Sequence, residues 1–344
     1  QCGSRGLGDV YKRQPLFSIP IIGLAWGVLL AGIIQLLIQL APLSQIDRLP
    51  IPKIGLQNEG VKKVFILMLP AIIAGGVAQI NLLIDTVFAS LLITGSPTWL
   101  YVSDRLIQFP LGIFAIAIGT VLLPSLSSAN QRGDLTLYKE HLRKSQRLVI
   151  FLAIPSVIGL ALCSEHLIST LFQRGEFFYT DVTQASKSLI AFSFGLPFFM
   201  MMKVLVPAFF SRKDTKTPMY AALAALALNI ILNYYFAFTL GYGHIGLAFA
   251  SSISALLSTG ILYTILVKGN YIQLTSPLNR FNLAVILGSI SVILFLIYGP
   301  FNINFNSLSF IDRLITLSLE VAISILLYLL ITRAIFGKKL KELF

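Results

Sequence analysis

Long apolar runs separated by short polar connections dominate this sequence. A bilayer core about 30 Å thick needs about 20 apolar residues per helix, which makes nine stretches candidate spans. They are roughly 16–40, 64–93, 99–125, 148–172, 188–211, 218–240, 245–267, 281–300 and 314–336. The pattern predicts an all-α polytopic membrane protein with nine transmembrane helices. A further charged, amphipathic helix is predicted at the membrane interface over 134–147.

Composition supports a membrane protein and excludes several other classes. Hydrophobic residues make up 56% of the chain and charged residues 12%, whereas soluble domains carry about 25% charged residues. Cys2 and Cys163 give neither a disulfide framework nor metal-ligand spacing. The sequence has no Walker A, GxSxG or HExxH motif. We therefore do not expect an enzyme or a covalently bound cofactor.

The basic residues are distributed unevenly between the two sides of the predicted membrane. Of the 26 lysine and arginine residues, 18 lie in alternate connections or at the C-terminal end, and three lie in the remaining connections. This bias predicts a cytoplasmic C-terminus. It also accounts for most of the net charge of +12, so nucleic acid is not an expected partner.

The first fourteen residues, QCGSRGLGDVYKRQ, differ from the rest of the sequence. They are polar and basic, and an apolar run follows them directly, with no separate signal-peptide pattern. Their basic residues would also lie on the side opposite to the other connections. We interpret 1–14 as a non-native leader resembling cloning or adapter read-through, and the chain as a fragment.

Two basic residues, Arg105 and Lys203, fall inside predicted spans. Ionisable groups within a membrane are costly and commonly functional. Gln108 lies one helical turn beyond Asp104 and Arg105, and a guanidinium suits phosphate or carboxylate ligands. These residues therefore predict a solvated substrate cavity. The alternatives are an Asp104–Arg105 pair near the helix end and structural pairing of Lys203 between helices.

A second polar set consists of Asp85 in one span and Asn229 with Asn233 in another. The two asparagines are one helical turn apart. Their oxygens are ligands of the kind that Na⁺ and other hard cations accept. The alternative interpretation is polar contact between helices, a common use of asparagine in membranes.

Several segments closely resemble one known family. The stretch PAIIAGGVAQINLLIDTVFASLLITGSPTWLYVSDRLIQFPLGIFAIAIGTVLLPSLS at 70–127 is similar to the MurJ/MviN family of bacterial lipid II flippases. The same resemblance extends to LFQRGEFF (171–178), KVLVPAFFSRKDTKTP (203–218) and HIGLAFASS (244–252). LAWGVLLAGIIQLLIQL at 24–40 resembles the sixth transmembrane helix of that family.

The resemblance implies a fold and a division of the chain. Family members have fourteen helices, in the superfamily that includes the MATE exporters, so the nine predicted spans would be helices six to fourteen. The implied segments are the last helix of the N-terminal lobe (15–41), a cytoplasmic linker (42–63), a six-helix C-terminal lobe (64–267), and a two-helix lipid-groove hairpin with a basic tail (280–344).

The resemblance also implies a function: moving undecaprenyl-pyrophosphate-linked lipid II across the bacterial plasma membrane for peptidoglycan synthesis. Asp104 and Arg105 match functional charges of the family, whereas Gln108 stands where some relatives have glutamate. Asp85, Asn229 and Asn233 match a cation site, in which one position is acidic in some members. Na⁺ or the membrane potential would supply energy.

Several expectations follow from this interpretation. The partners would be lipid II and membrane lipids, the protein would be a monomer, and the fragment alone would be inactive. Two transport alternatives remain, namely export of drugs or of other lipid-linked glycans. A non-transporting membrane scaffold is the alternative of a different class.

Overall fold

The described part of the chain is built from α-helices and contains no β-strand. The computed structural model describes residues 20–45, 59–272, 279–300, 305 and 308–337; the suspected leader 1–14 lies outside them. The helices are α1 (Pro20–Gln45), α2 (Glu59–Ser90), α3 (Ser96–Gln131), α4 (Leu135–Leu162), α5 (Ser164–Phe172), α6 (Tyr179–Ser193), α7 (Leu196–Phe210), α8 (Lys216–Thr239), α9 (Gly243–Lys268), α10 (Arg280–Tyr298) and α11 (Phe310–Phe336).

The chain separates into two units. The first comprises 1–64 with 174–178, and its described part contains α1 and the first turn of α2. The second comprises 65–173 with 179–344 and contains the rest of α2 and all later helices. The candidate sites below all belong to this second unit.

The predicted membrane-spanning character is confirmed, whereas the number nine stays a prediction. Among the described residues, seven helices are long and apolar enough to cross a membrane, or eight if α6 and α7 count as one bent span. In α1, the qualifying apolar stretch is the shorter Leu29–Leu40. The remaining helices each coincide with, or overlap, one of the predicted spans.

The predicted division of 134–172 was wrong. The expected interfacial helix 134–147 and the expected span 148–172 are instead joined as α4, which runs unbroken from Leu135 to Leu162. Asp134 caps this helix by accepting a hydrogen bond from the Leu137 amide at 2.9 Å. No proline or glycine interrupts the charged first turns, so nothing in them opposes continuation of the helix. The break falls later, at Cys163, before α5 begins.

The predicted span 188–211 is a bent pair of helices. α6 and α7 meet at an angle of 43° across a break at 194–195. Gly195 is required there, because a Cβ on it would lie 2.9 Å from Ser252 Cα. Pro197 occupies the first turn of α7, where its missing N–H needs no partner. Pro197 therefore starts a helix, whereas Pro207 lies inside α7.

α9 is the central helix of the second unit and is the most buried of its spans. Small residues, among them Ala248, Ala250 and Ser252, cover much of its buried surface, which lets neighbouring backbones approach closely. Gly246 marks the tightest approach, because a Cβ there would lie 2.8 Å from the Phe236 carbonyl carbon. This packing holds α8 and α6 against α9 and positions the side chains described below.

Two helices contain a π-helical segment. In α3 it is Leu111–Ile116, directly after Pro110. In α8 it is Tyr235–Thr239, directly after the turn that carries Asn233. Such segments often occur near functional sites, and here each lies close along its helix to a predicted site residue.

α10 and α11 form a closely packed hairpin that docks on α4. A Cβ on Gly288 of α10 would lie 2.9 Å from side-chain atoms of Tyr328 and Thr332 on α11. Tyr328 donates a hydrogen bond from its hydroxyl to the Phe151 carbonyl of α4 at 2.7 Å. Phe281 and Val285 join the same buried cluster. Apolar packing and this buried hydrogen bond therefore hold the hairpin against α4.

Candidate substrate and cation sites

The three residues of the predicted cation set lie together between α2 and α8. Asn233 donates from Nδ2 to Asp85 Oδ1 at 2.6 Å and to Asn229 Oδ1 at 2.8 Å. Asn229 and Asn233 are buried and Asp85 is half-buried. The one-turn spacing of the asparagines places both on one face of α8, where Asn233 contacts Asp85 and Asn229 contacts Asn233. The cation-binding role of the three residues stays a prediction.

Two further residues complete this cluster, and sequence reasoning missed both. Ser251 on α9 donates to Asp85 Oδ2 at 3.1 Å and accepts from Asn229 Nδ2 at 3.2 Å. Asn81, one turn before Asp85, donates to the same carboxylate oxygen at 3.2 Å. A signal for Asn81 was present in its i,i+4 spacing to Asp85. Ser251 gave none, because serines are frequent in α9.

The cluster contains one unsatisfied polar atom. Among the described residues, Asn233 Oδ1 is buried and has no hydrogen-bond partner. A buried acceptor without a donor is destabilising and would be satisfied by a cation. The Asp85 carboxylate, the Asn229 amide oxygen and the Ser251 hydroxyl are oxygens of the kind that a hard cation such as Na⁺ accepts. Asn233 presents its amide nitrogen to Asp85 and Asn229, so its oxygen would join them only after the amide turns. No cluster of three His, Cys, Asp or Glu residues suited to another metal occurs within the described ranges.

Asp104, Arg105 and Gln108 lie on the first half of α3, and the structure confirms their proximity. The side chain of Gln108 lies near the Asp104 carboxyl. The Arg105 guanidinium lies over the Tyr101 ring, 4.7 Å from its centre. Arg105 and Gln108 are exposed and Asp104 is half-buried. Across the described residues no ion pair joins Arg105 to Asp104 within 4.0 Å, so the guanidinium keeps its donors for a ligand.

Neighbouring contacts fix the orientation of this part of α3. Ser103 donates from its hydroxyl to the Ala185 carbonyl of α6 at 2.7 Å. Trp99 donates from Nε1 to Asp181 Oδ1 at 2.9 Å, and its ring meets His244 edge-on at 4.8 Å. With one face of α3 held against α6 and α9, the opposite face carries Arg105.

The carboxyl groups of Asp85 and Asp104 are close enough to repel each other electrostatically. The cation cluster on α2 and α8 and the anion-binding candidates on α3 are therefore neighbouring features. A cation beside Asp85 would reduce this repulsion. The sequence did not predict this proximity, because it arises from the packing of α2 beside α3.

Lys203 does not join this group. It lies on α7, where its side chain is exposed, and its carbonyl oxygen would lie 3.0 Å from a Cβ on Gly119 of α3. Gly119 is fourteen residues beyond Arg105, about 21 Å along a helix axis. Lys203 therefore lies at a different level of α3 from Arg105. Its predicted role in the same substrate site stays untested.

A buried acid–histidine pair connects α11 to α5, and the sequence survey missed it. Glu320 is 2% exposed, and its Oε2 lies 2.9 Å from His166 Nδ1. The His166 ring stacks on Phe305 with 3.9 Å between ring centres. The buried thiol of Cys163 lies near Glu320. The available signal was an acid within the predicted span 314–336, but the sequence does not indicate which helix supplies its partner.

A second contact ties α11 to the end of α5. Arg313 donates from Nη1 to Gln173 Oε1 at 2.8 Å and to the Ser169 carbonyl at 3.4 Å. Ser169 also donates from its hydroxyl to Gln173 Oε1 at 2.5 Å. Together with the Glu320–His166 pair, these bonds place polar contacts along two turns of α11. They serve the docking of the hairpin and lie apart from the candidate sites on α2, α3 and α8.

Comparison with known protein families settles the family of this fold. The profile described as "Lipid II flippase MurJ" matches residues 9–328. The chain belongs to the MurJ family. A relative from Vibrio cholerae serotype O1, named as a probable lipid II flippase MurJ, is 45% identical over 267 residues, which cover 78% of this chain and 50% of that relative. The chain thus spans about half the length of the curated MurJ proteins that it matches.

Solved structures agree with the MurJ fold. A structure titled "Lipid II flippase MurJ, inward closed conformation" matches with a TM-score of 0.63 and 28% identity, covering 76% of this chain and 51% of that one. An outward-facing MATE family multidrug transporter of the MOP superfamily matches with a TM-score of 0.53 and 20% identity, covering 67% and 53%. The second likeness shows a common fold. MurJ membership and the apolar helices make the chain a multi-pass protein of the bacterial inner membrane.

Proposed function

We propose that these residues supply about half of a flippase that moves lipid II across the bacterial inner membrane. The observation that carries this proposal is the match to the MurJ family over 9–328, combined with an exposed Arg105 within an apolar span. Transport by alternating access needs no covalent chemistry, which agrees with relatives that are named as flippases.

In this proposal Arg105 binds the pyrophosphate, or a carboxylate of the peptide, through charge-assisted hydrogen bonds. Asp104 and Gln108, whose side chains lie near each other on α3, would orient the substrate beside Arg105. The ring of Tyr101 supports the guanidinium from below. The substrate remains chemically unchanged, and two helical lobes rock around it in a monomeric protein. Lys203 would contact a more distant part of the substrate.

The orientation in the membrane is also part of the proposal. The concentration of basic residues in alternate connections supports a cytoplasmic C-terminus. The membrane potential can then act on charges that move with the substrate, since carrying one charge through about 100 mV is worth about 2.3 kcal/mol. That energy is sufficient to bias a two-state equilibrium toward one orientation.

A chimera tests the proposed function directly. Residues 59–337 of this chain would replace the matching segment of the Vibrio cholerae relative, and the chimera would be expressed in a strain depleted of its own lipid II flippase. We expect restored growth and normal cell shape, because the substrate-facing residues of this half are supplied by α2–α11. A chimera that reaches the membrane at the parental level but does not restore growth would favour drugs, other glycans or a scaffold role.

We further propose that Asp85, Asn229, Asn233 and Ser251 hold Na⁺. The ion would neutralise the Asp85 carboxylate and satisfy the buried Asn233 Oδ1. Asn233 is neutral where some relatives are acidic, so the site relies on one carboxylate and three neutral oxygens. This donor set supports a weakly bound ion, whose occupancy would follow the Na⁺ concentration.

Sodium is expected to raise the melting temperature of the purified chain in a saturable manner, compared with choline at equal ionic strength. An ion that binds the folded state stabilises it by mass action, by about 2.7 kcal/mol at a hundredfold excess over Kd. Differential scanning fluorimetry would measure the shift. Asp85→Ala and Asn233→Leu should abolish it, whereas Glu165→Gln, at an exposed carboxyl of α5, should retain it. Equal shifts with sodium and choline would refute the site.

A further inference from the structure

A groove with an excess of positive charge lies away from the cluster of Asp85 and Arg105. It consists of two adjoining cavities, of about 370 and about 100 Å³, which share Arg143 and Gln146 of α4 as lining residues. Tyr271 lines the larger cavity, after the end of α9, and Asn279 lines the smaller one, at the start of α10. The charge pattern of the chain predicts the cytoplasmic side for this groove.

One face of α4 gives the groove its charge. Lys139, Arg143 and Arg147 follow one another at four-residue intervals, so they lie on one side of the helix. Within the described ranges, Glu140 is the one acidic residue that lines either cavity. It is already paired with Lys144 at 2.9 Å. The other three cations therefore repel one another and have no acidic partner within 4.0 Å among the described residues.

The groove also contains a hydrogen-bond donor without an acceptor. Gln146 Nε2 is buried and has no hydrogen-bond partner in the described part of the chain. Gln146 lines both cavities, while its Nε2 atom is itself enclosed. A buried unsatisfied donor is destabilising, and turning the amide toward an anion held between the two arginines would satisfy it.

The opposite wall suits an anion as well. Asn279 caps α10, accepting from the Asn282 amide at 2.8 Å, and the positive end of that helix dipole adjoins the smaller cavity. Tyr271, in the wall of the larger cavity, carries the Arg212 guanidinium 4.0 Å from its ring centre. The second wall thus contributes further positive potential and no carboxylate.

We propose that this groove binds a phosphate-bearing anion. Arginine forks and an amide donor match phosphate oxygens in geometry and charge, and the larger cavity exceeds the volume of a lone phosphate. The anion has two chemical sources: the phosphodiester headgroup of an acidic lipid in the adjacent leaflet, or a soluble phosphate compound from the cytoplasm. The site would make the stability of the protein dependent on that anion, independently of any transport.

Binding would be measured with the purified chain in phosphatidylcholine nanodiscs. One arm adds inorganic phosphate or pyrophosphate and records the melting temperature. The other arm adds phosphatidylglycerol and counts retained lipids by native mass spectrometry. Saturable binding in either arm supports the groove and identifies the source. Absence of saturable binding in both arms overturns the proposal.

Three variants test whether anion binding depends on the groove or on general surface charge. Arg143→Gln combined with Arg147→Gln is expected to weaken binding about a hundredfold, since each charge-assisted bond contributes about tenfold or more. Gln146→Leu, which retains every charge, should weaken binding severalfold. Arg132→Gln, at an exposed arginine that lines neither cavity, should bind as the parent does. Equal affinity of the parent and the double variant, or a loss of affinity with Arg132→Gln as large as that of the double variant, would contradict the proposal. Folding of each variant is checked by its melting transition without added anion.

Discussion

Replacing His166 by alanine is expected to lower the free energy of unfolding of this chain by about 3 kcal/mol. The change leaves the Glu320 carboxyl buried, at 2% exposure, without the imidazole that lies 2.9 Å away. It also removes the ring that stacks on Phe305. Circular dichroism of the chain in mixed micelles, recorded as the SDS fraction rises, would measure the loss.

A double substitution tests whether the cost arises from the pair. Buried ion pairs can often be replaced by apolar residues of similar volume without loss, so His166→Leu with Glu320→Leu should recover most of the stability. Glu165→Ala changes the neighbouring exposed acid on α5 and should leave unfolding unaltered. If His166→Ala unfolds at the same SDS fraction as the parent, the pair does not hold α11 against α5.

Arg105→Ala, introduced into the chimera with the Vibrio cholerae relative, is expected to abolish rescue of flippase-depleted cells. The exposed guanidinium on α3 is the proposed ligand of the anionic head group, and a hydrogen bond to a charged group is worth about 1.5–3 kcal/mol. Losing it would weaken substrate binding by about 10–100-fold. Growth after depletion, with the amount of chimera in the membrane measured in parallel, gives the result.

The matched variants make this outcome specific. Arg132→Ala removes an exposed arginine at the other end of α3 and should leave rescue intact. Arg105→Lys retains the charge but loses the planar fork, so partial rescue is expected. Full rescue by Arg105→Ala would remove Arg105 from the proposed mechanism while leaving the family membership of the chain unchanged.

The sequence was most informative about residues whose relative positions depend on their spacing along a single helix. Asn229 and Asn233 were expected on one face, and both lie beside Asp85. Ser251 reaches the same carboxylate from α9, but one serine among several in an apolar helix gives no signal without the packing of α8 on α9. Lys203 shows the opposite case. Its charge inside a predicted span indicated a site residue. The close approach of α7 to Gly119 places Lys203 at a different level of α3 from Arg105.

Helix limits were predicted less well because they depend on local caps and close contacts. The Asp134 cap begins α4 before its charged turns, and those turns continue into the apolar part without interruption. The bend between α6 and α7 depends on the close approach of Gly195 to Ser252, which a hydropathy pattern does not reveal. Glu320 was missed for a different reason, because a lone acid in an apolar span does not indicate which helix supplies its partner.

The π-helical segment of α3 has a consequence for the register of that helix. A π turn accommodates one residue more than an α turn, and each residue rotates an α-helix by about 100°. A helical wheel that uses the α-helical period throughout 96–131 therefore gives a wrong angle between Arg105 and Gly119. The error is about 100°. Removing a single residue from Leu111–Ile116 would restore a regular helix but rotate the face that carries Arg105 away from its present direction. The angle between that face and the surface packed on α7 is thus set by the number of residues between them.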